Sequence, residues 1–348
     1  MSKKILIVDD DILSRELLWG YLAEEEYELW TASNAGEART IMHKTGPDLV
    51  LLDVMMPGED GFSFCRYIKD KWQEPFLPVI LVTALNDRNS KLQGLNSSAD
   101  DFLSKPVDRI ELLIKVRNML KIRELHANLY TELLFARRVQ ENLFFTGSRL
   151  AIDERLFYQP CRQVGGDLIE TWEQEGSRWA FLADAAGHGP SAALIATAVK
   201  ALIDKNATTP ANLLQQLNQS LCSLLANGDT AYYVTCMCIK AQENLITWAG
   251  AGHPPCILKS RGEIIPLNSQ SMPLGISPDQ SFEENSVPYQ ANDLLLLYSD
   301  GLFDIVNEKE LNEMLKTVVL KQEIYEQLEQ KIRQGRATDD IAFLGLSL

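Results

Sequence analysis

Hydrophobic residues follow two alternating patterns along the first third of the chain. Short β-branched runs at 5–8, 49–52 and 79–82 are separated by stretches with the spacing of amphipathic helices. Continuous apolar runs are typical of strands buried on both faces of a parallel sheet. The strand–helix alternation therefore predicts an α/β domain with a doubly wound parallel sheet over residues 1–121.

Polar residues with distinct chemistry stand where these predicted strands end. Asp9 and Asp10 follow the first strand, Asp53 closes the third, Thr83 closes the fourth, and Lys105 follows a fifth, short apolar run. Any one of them is also typical of a helix cap or a turn. Together they predict a pocket at the carboxyl ends of the strands, where clustered carboxylates bind magnesium. Asp53 is then placed to accept a phosphoryl group as a nucleophile.

A long helical pattern follows, from residue 107 to 144. Its apolar positions keep a three–four spacing over about three heptads, interrupted by Glu132. These positions are Ile122, Leu125, Leu129, Ala136, Val139 and Leu143. One interpretation is a helix packed on its own domains, and the other is a parallel dimeric coiled coil. We expect the second, with residues 122–147 as a linker that makes the protein a homodimer.

The remaining residues, 148–348, combine many short apolar runs with few helical patterns. This composition predicts packed antiparallel sheets covered by helices. The predicted strands lie at 179–183, 232–239, 245–248, 257–258, 294–298 and 341–346, and the predicted helices at 191–203, 211–225 and 309–334.

Short acidic motifs stand at the boundaries of these strands. They are Gly165-Gly166-Asp167, Asp184-Ala185-Ala186-Gly187-His188-Gly189, Ser299-Asp300-Gly301 and Thr338-Asp339-Asp340. A single Asp-Gly pair is usually a plain turn. Carboxylates from four separate places that meet in one cleft would hold two divalent cations, a clamp typical of hydrolytic phosphoryl transfer.

Composition excludes several other classes of protein. Apolar residues make up 46% and charged residues 23%, as in an ordinary globular protein. Lys and Arg number 33 against 48 Asp and Glu, and the net charge of −15 disfavours nucleic-acid binding. Six scattered cysteines form no C-x-x-C pair, which argues against disulfides and structural zinc. No apolar run is long enough for a membrane helix, so we expect a cytoplasmic protein with no membrane partner.

The first domain resembles the receiver domains of two-component signalling, of the CheY-like type, around the motif Leu52-Asp53-Val54-Met55-Met56-Pro57-Gly58. The resemblance implies phosphorylation by a cognate histidine kinase. It implies these roles: Asp53 as phosphoacceptor, Asp9, Asp10 and the Met55 carbonyl as the Mg²⁺ pocket, Thr83 and Lys105 as switch residues, and Phe102 as the switch aromatic.

The acidic motifs, together with Ala251-Gly-His-Pro-Pro255 and Met272-Pro-Leu-Gly-Ile276, resemble the metal-dependent Ser/Thr phosphatases of the SpoIIE/RsbU branch. Ala136-Arg-Arg-Val-Gln140 matches the helix that begins that branch and couples a regulatory domain to the catalytic core. The resemblance implies an α-β-β-α sandwich with two Mn²⁺ or Mg²⁺ ions. The implied ligands are Asp167, Asp184, Asp300, Asp339 and the Ala185 carbonyl, with Asp340 on a metal or only on a bound water.

Some positions differ from the family pattern without removing a carboxylate. Leu168 and Ile169 replace the usual aromatics, Ala185-Ala186 replaces Val-Ser, and Asp304 stands where Glu is common. For His188 and His253 we favour structural roles in tight turns over that of a general acid.

These features predict a response regulator whose receiver controls direct hydrolysis of phosphoserine or phosphothreonine, with no phosphoenzyme intermediate. By the family resemblance, the substrate is a STAS-type anti-sigma-factor antagonist. The alternative is a non-catalytic adaptor that binds a sigma factor or its regulator, and the presence of all four carboxylates disfavours it. A DNA-binding output is disfavoured by the acidic charge.

Overall fold

The computed structural model describes residues 2–72, 76–84, 98–145, 154–225 and 232–348. The chain divides into two compact units, residues 1–132 and 133–348. The division falls within the predicted linker, and the predicted boundary at 147/148 lies outside the described residues.

The first unit is an α/β domain with a parallel sheet. Its elements are β1 (Lys3–Val8), α1 (Ile12–Leu22), β2 (Tyr27–Ala32), α2 (Ala35–Thr45), β3 (Leu49–Asp53), α3 (Gly61–Lys71), β4 (Val79–Thr83) and β5 (Asp101–Ser104). The strands lie in the order β2-β1-β3-β4-β5, and every pairing in the sheet is parallel. The predicted doubly wound receiver fold is confirmed.

Strand β1 shows why the apolar runs of this domain are continuous. Leu6 and Val8 point into the core on one face of the sheet, and Ile5 and Ile7 point into the core on the other face. Because side chains alternate between the faces of a strand, both faces are buried only when each successive residue is apolar. The apolar run stops where the polar residues begin, since β1 ends directly before Asp9.

Helix α4 (Arg109–Phe145) extends 37 residues from the end of the receiver. Arg123 holds it against the first unit, with Nε 2.9 Å from Asp48 Oδ1 and a second nitrogen 2.6 Å from the Phe76 carbonyl. All six apolar positions of the predicted coiled-coil seam are exposed in the single chain. None of the described helices is both long and apolar enough to cross a bilayer.

Beyond the end of α4, the described part of the second unit contains two antiparallel sheets, four α-helices and one 3₁₀ helix. Its strands are β6 (Arg155–Gln159), β7 (Asp167–Gln174), β8 (Ser177–Ala185), β9 (Val234–Gln242), β10 (Leu245–Ala251), β11 (Cys256–Ser260), β12 (Glu263–Leu267), β13 (Asn285–Pro288), β14 (Leu294–Tyr298) and β15 (Ile341–Ser347). Its helices are α5 (Pro190–Leu202), α6 (Pro210–Leu225), α7 (Glu308–Thr317) and α8 (Lys321–Gln334), and a 3₁₀ helix covers Asp300–Asp304.

The two sheets pack face to face between two helical layers. One sheet has the order β13-β10-β9-β8-β7 and the other β12-β11-β14-β15-β6. A central core joins residues of both sheets, such as Leu182 on β8 and Leu344 on β15. Two outer cores join the first sheet to α5 and α6 and the second sheet to α7 and α8. The predicted α-β-β-α sandwich is confirmed.

The predicted helix over 309–334 is wrong in one respect, because the structure has two helices, α7 and α8, there. Val318 and Leu320 between them have extended backbone angles. The Val318 carbonyl accepts a hydrogen bond from Lys259 Nζ on β11 at 2.6 Å. The Val318 carbonyl thus has a hydrogen-bond partner outside the helix, although the apolar spacing typical of a helix continues past this residue. The sequence has no Gly or Pro here that would indicate the break.

Candidate active site

The predicted phosphoacceptor pocket lies at the carboxyl ends of β1, β3 and β5. Lys105 Nζ bridges two buried carboxylates, at 2.8 Å from Asp9 Oδ2 and 2.6 Å from Asp53 Oδ1. Asp53 Oδ2 accepts a hydrogen bond from the Met55 amide at 2.8 Å. One carboxylate oxygen each from Asp9, Asp10 and Asp53 lie within 4.8 Å of one another, so this cluster fits a divalent cation.

Among the described residues, Lys105 is the cation that contacts the buried carboxylates of this pocket. Burial raises the pKa of Asp53, and the hydrogen bond from Lys105 opposes that rise. The pKa of Lys105 is also raised, because its bonds to Asp53 and Asp9 outweigh the effect of burial. The backbone of Thr83 is next to that of Lys105, since the Thr83 carbonyl accepts the Lys105 amide at 2.8 Å. Met55 is 64% exposed.

One contact of the pocket was not predicted from the sequence. The Ser14 hydroxyl, in the first turn of α1, donates to Asp9 Oδ2 at 2.6 Å. Its spacing from Asp9 gives no signal, since a serine at the start of a helix is ordinary.

In the second unit, two predicted acids face each other on neighbouring strands. Asp167 begins β7 and Asp184 lies near the end of β8, and they are directly paired in the antiparallel register. Ala185 follows, and its amide donates to the Gly166 carbonyl at 3.2 Å. A Cβ on Gly166 would lie 2.8 Å from the Ala185 carbonyl oxygen, so only glycine permits this approach.

The other predicted acids come from the segments around β14 and β15. Asp300 opens the 3₁₀ helix after β14, and Asp339 and Asp340 directly precede β15. Gly301 packs against the Asp340 backbone so closely that a Cβ would overlap the Asp340 carbonyl oxygen. Asp340 Oδ2 accepts the Gly166 amide at 2.6 Å, which ties this segment to β7.

Asp340 therefore acts as an anchor for the loops of the site. Its second oxygen, Oδ1, accepts the Cys161 amide at 2.7 Å. Both carboxylate oxygens are thus engaged by backbone N–H groups. One ligand atom each from Cys161, Asp339 and Asp340 also lie within 4.8 Å of one another.

The charges of the acids act on one another. Burial raises the pKa of Asp167 well above its usual range, and the charge of Asp184 adds to the rise. Burial, followed by the charges of Asp300, Asp339 and Asp340, raises the pKa of Asp184 to about 7. The pKa values of Asp300 and Asp340 are raised as well, first by burial. Without a cation, part of this cluster stays protonated near neutral pH.

Asp167 provides the test of whether these residues fit a metal. It is 1% exposed, yet its Oδ2 has no hydrogen-bond partner among the described residues. A buried carboxylate oxygen without a donor is costly unless a cation neutralises it. The donor set consists of carboxylate and carbonyl oxygens, which suits Mg²⁺ or Mn²⁺. The residues present therefore fit divalent cations.

His253 and His188 are placed differently. His253 is buried, with Nε2 3.1 Å from the Tyr298 carbonyl and Nδ1 3.0 Å from the Thr235 hydroxyl. Burial lowers the pKa of His253 to about 4, so the ring is neutral and held by the backbone. His188 is exposed in the loop between β8 and α5.

Gln140 and Asp304 contact the loops that carry the acids. Gln140 on α4 is buried, donating from Nε2 to the Gly165 carbonyl at 2.8 Å and accepting the Gly165 amide at 3.3 Å. Asp304 accepts backbone and side-chain hydrogen bonds from Thr338, which lower the pKa of Asp304. Gln140 stood out in the sequence only as part of the helix motif, because its partner lies 25 residues away.

Both domains match family models. Residues 174–348 match the family described as stage II sporulation protein E, SpoIIE, and residues 5–117 match the response regulator receiver domain. The chain belongs to the SpoIIE family and carries a receiver domain at its N-terminal side. The predicted combination of a receiver with a SpoIIE-type metal-dependent phosphatase domain is confirmed.

Individual proteins are similar to parts of the chain. Over 123 residues the chain is 44% identical to the response regulator PleD of Caulobacter vibrioides, covering 35% of this chain and 27% of PleD. Over 163 residues it is 35% identical to the uncharacterized transcriptional regulatory protein YbdJ of Bacillus subtilis, covering 44% of this chain and 69% of YbdJ. The match thus spans about a quarter of the length of PleD.

Among solved structures, the SiaA-PP2C domain of Pseudomonas aeruginosa shares the fold. The TM-score is 0.56 at 21% identity, covering 64% of this chain and 97% of the SiaA-PP2C chain.

Proposed function

We propose that this chain is a response regulator in which phosphorylation of Asp53 controls a C-terminal protein phosphatase. The phosphatase removes phosphate from serine or threonine on a partner protein. The observation that carries the proposal is the pairing of Asp167 with Asp184 across β7 and β8, with the charges of Asp300 and Asp339 acting on the same carboxylate. Membership in the SpoIIE family supports the choice of phosphatase chemistry.

In the receiver, a cognate histidine kinase supplies the phosphoryl group to Asp53. Asp9, Asp10 and the Met55 carbonyl would hold Mg²⁺, and the cluster formed by the three aspartates supports this role. Lys105 contacts Asp53 Oδ1, so its ammonium group is placed to form an ion pair with the oxygens of a phosphoryl group added to Asp53. Thr83 serves as the switch hydroxyl.

In the phosphatase domain, two Mn²⁺ or Mg²⁺ ions would be held by Asp167, Asp184, Asp300, Asp339 and the Ala185 carbonyl. When bound, the ions supply an activated water and neutralise charge on the phosphate. Asp340 is assigned to the loops rather than to a metal, because backbone N–H groups occupy both of its oxygens.

No side chain is assigned as a nucleophile. The thiol of Cys161 is half-buried beside Asp339 and Asp340, and burial together with the charge of Asp340 raises the pKa of Cys161 to about 12. A thiol with so high a pKa is not a thiolate at neutral pH. This supports direct hydrolysis by water without a phosphoenzyme.

The partner and setting follow from the family resemblance. The substrate would be a phosphorylated STAS-type anti-sigma-factor antagonist, and the protein would act in the cytoplasm. The alternative is an adaptor that binds a sigma factor or its regulator without hydrolysing anything.

One assay separates the two functions. Hydrolysis of a phosphoserine peptide is measured with added Mn²⁺ for the wild type, Asp184→Ala and Asp293→Ala. Asp293 is a matched control, because it is a buried carboxylate of the same domain that accepts the Gln290 amide at 2.8 Å. We expect activity in the wild type and the control and a loss of at least about 100-fold in Asp184→Ala. Equal rates in all three proteins would contradict the phosphatase function and favour the non-catalytic adaptor.

Receiver control is measured in the same assay with and without beryllofluoride as a mimic of the phosphoryl group. We expect the rate to change with the mimic in the wild type and to stay constant in Asp53→Ala. A rate that ignores the mimic in both proteins would contradict control by the receiver.

A homodimer through α4 is part of the proposal. Ile122, Leu125 and Leu129 are 46%, 61% and 54% exposed, and a second copy of the same stripe would cover them. We expect Leu129→Asp to produce a monomer by analytical ultracentrifugation. Asn128→Asp is the control, since it adds the same charge at the neighbouring exposed position. Monomers in all three proteins would contradict the dimer.

A further inference from the structure

Asp304 binds the loop that carries the candidate ligand Asp339. Its Oδ2 atom accepts three hydrogen bonds: from the Thr338 amide at 2.7 Å, from the Thr338 hydroxyl at 2.8 Å and from the Asp339 amide at 3.3 Å. A single carboxylate oxygen therefore holds two consecutive residues of the loop between α8 and β15.

Asp304 also belongs to the segment that carries a second candidate ligand. Asp300 is the first residue and Asp304 the last of the same 3₁₀ helix. Gly301 within this helix packs directly against the backbone of Asp340. The helix and the loop are therefore in contact at the site, and the Asp304 carboxylate ties together segments 34 residues apart.

The residues on either side of Asp339 are fixed to different parts of the domain. Thr338 is held by Asp304, and therefore by the helix that begins at Asp300. Asp340 is held by the Gly166 amide, and therefore by the loop before β7. Asp339 lies between these two anchors, and its own Oδ1 accepts the Asp340 amide at 2.8 Å.

From this geometry we propose that Asp304 is a positioning residue, which sets Asp339 relative to Asp300 so that both can bind the same pair of cations. The proposal rests on the proposed function, because it takes both acids as metal ligands. Asp304 itself acts through the Thr338 hydrogen bonds and is not assigned to a metal. Partners that orient metal ligands change metal affinity by about 10–100-fold when they are removed. Because Asp304 is exposed, we expect the lower end of that range.

The test is Mn²⁺ binding to the full chain by isothermal titration calorimetry, without substrate. Every protein carries Asp10→Asn and Asp53→Asn, which remove two of the three carboxylates of the receiver cluster. We expect Asp304→Ala to bind Mn²⁺ about 10-fold more weakly. Asp304→Asn keeps an acceptor oxygen at the same reach, so its affinity should lie within about threefold of the parent.

Two further variants distinguish a local effect on the loop from a general loss of stability. Thr338→Val removes only the hydroxyl donor and should weaken Mn²⁺ binding by about two- to fivefold. Asn307→Ala is the matched control, because it removes the N-cap that accepts the Glu310 amide at 3.0 Å and lies three residues after Asp304. It should lower thermal stability without changing Mn²⁺ affinity.

A second measurement tests, in the absence of metal, whether Asp304 holds the loop that carries Asp339. Amide hydrogen exchange of residues 335–340 in the metal-free protein should be faster in Asp304→Ala than in the parent and in Asn307→Ala. Unchanged exchange and Mn²⁺ affinity in Asp304→Ala would overturn the proposal, as would an equal loss of affinity in Asn307→Ala. Since no substrate is present, a parent that binds Mn²⁺ but hydrolyses nothing contradicts the proposed function and not the role of Asp304.

Discussion

Protonation of His253 should destabilise the C-terminal domain as the pH falls from 7 to 5. The Tyr298 carbonyl can only accept, so Nε2 carries the proton and Nδ1 accepts from the Thr235 hydroxyl. The neutral ring is thus fully bonded. A second proton would place a charge in a site where burial lowers the pKa of His253 to about 4.

The magnitude follows from proton linkage. An unfolded histidine has a pKa of about 6.5, so the unfolded chain binds the proton first as the pH falls. The contribution of His253 to stability is therefore fully present above pH 6.5 and is lost between pH 6.5 and the folded pKa of about 4. With about 1.4 kcal/mol per pH unit, the loss between pH 7 and pH 5 is about 2 kcal/mol.

The assay is urea unfolding followed by tryptophan fluorescence, with metal chelated. The chain has six tryptophans, and replacing Trp19, Trp30 and Trp72 by Phe leaves reporters only in the C-terminal domain. His253→Gln keeps an N–H donor for the Tyr298 carbonyl and cannot titrate near neutral pH. Compared with this variant, the parent should lose about 2 kcal/mol more between pH 7 and pH 5.

The comparison removes the contribution of the carboxylates, because both proteins carry the same acids. His188→Gln serves as a control for the substitution itself, since it makes the same change at an exposed histidine of the same domain. Parallel pH curves for the parent and His253→Gln would refute the reasoning, because the buried ring would then titrate as it does in the unfolded chain.

Three other substitutions have predictable effects. Gly301→Ala should destabilise the C-terminal domain by about 3 kcal/mol in urea unfolding, because the new methyl group would overlap the Asp340 carbonyl. Lys105→Ala should destabilise the receiver by about 2 kcal/mol at pH 7 in urea unfolding, because it leaves two buried carboxylates without their cation. Gln140→Ala should cost about 2 kcal/mol and lower the Mn²⁺-dependent rate, because the buried amide and carbonyl of Gly165 lose their partners.

Each of these has a control of the same residue type. Gly20→Ala places its methyl group in open space within α1 and should not destabilise. Lys115→Ala breaks an ion pair of 2.6 Å with Asp101 whose side chains are about a quarter exposed, so it should cost less than Lys105→Ala. Gln216→Ala lies on the exposed face of α6. Equal effects in a substitution and its control would contradict the corresponding prediction.

The sequence predicted best those elements whose side chains are buried on every side. The receiver strands β1, β3 and β4 appear as continuous apolar runs, and strands β8, β14 and β15 of the second unit were predicted close to their observed bounds. Strands at or near the sheet edges, such as β6, β12 and β13, gave no clear signal because many of their residues are exposed. Edge strands have one unpaired side, so burial imposes less on their sequence.

The break between α7 and α8 was missed for a different reason. Residues 318–320 are Val-Val-Leu, an apolar run that continues a helical pattern, and Val319 is 86% exposed. Where α7 ends, Lys259 donates a hydrogen bond to the Val318 carbonyl from 59 residues away in sequence. Such a contact exists only after the sheet has formed, so local pattern cannot reveal it.

The aspartates of the C-terminal domain show that a sequence motif does not reveal whether an acid binds a metal or holds a loop. Asp167, Asp184 and Asp340 all stand in acidic motifs at strand boundaries, and Asp304 follows one of these motifs by three residues, so nothing local distinguishes their roles. In the folded domain, Asp304 and Asp340 accept backbone N–H groups, which can offset their negative charge without a metal. Among the described residues, no hydrogen-bond donor reaches Asp167 Oδ2 and none is seen on Asp184.

This difference separates two pairs of acids. Asp304 and Asp340, which accept backbone N–H groups of other segments, hold loops in place, whereas Asp167 and Asp184 need cations to remain charged in a buried site. The donors come from residues far away in sequence, since Gly166 and Asp340 are 174 residues apart. A motif can therefore identify acids that belong to the site, but only the tertiary hydrogen bonds separate an anchor such as Asp340 from a candidate ligand such as Asp184.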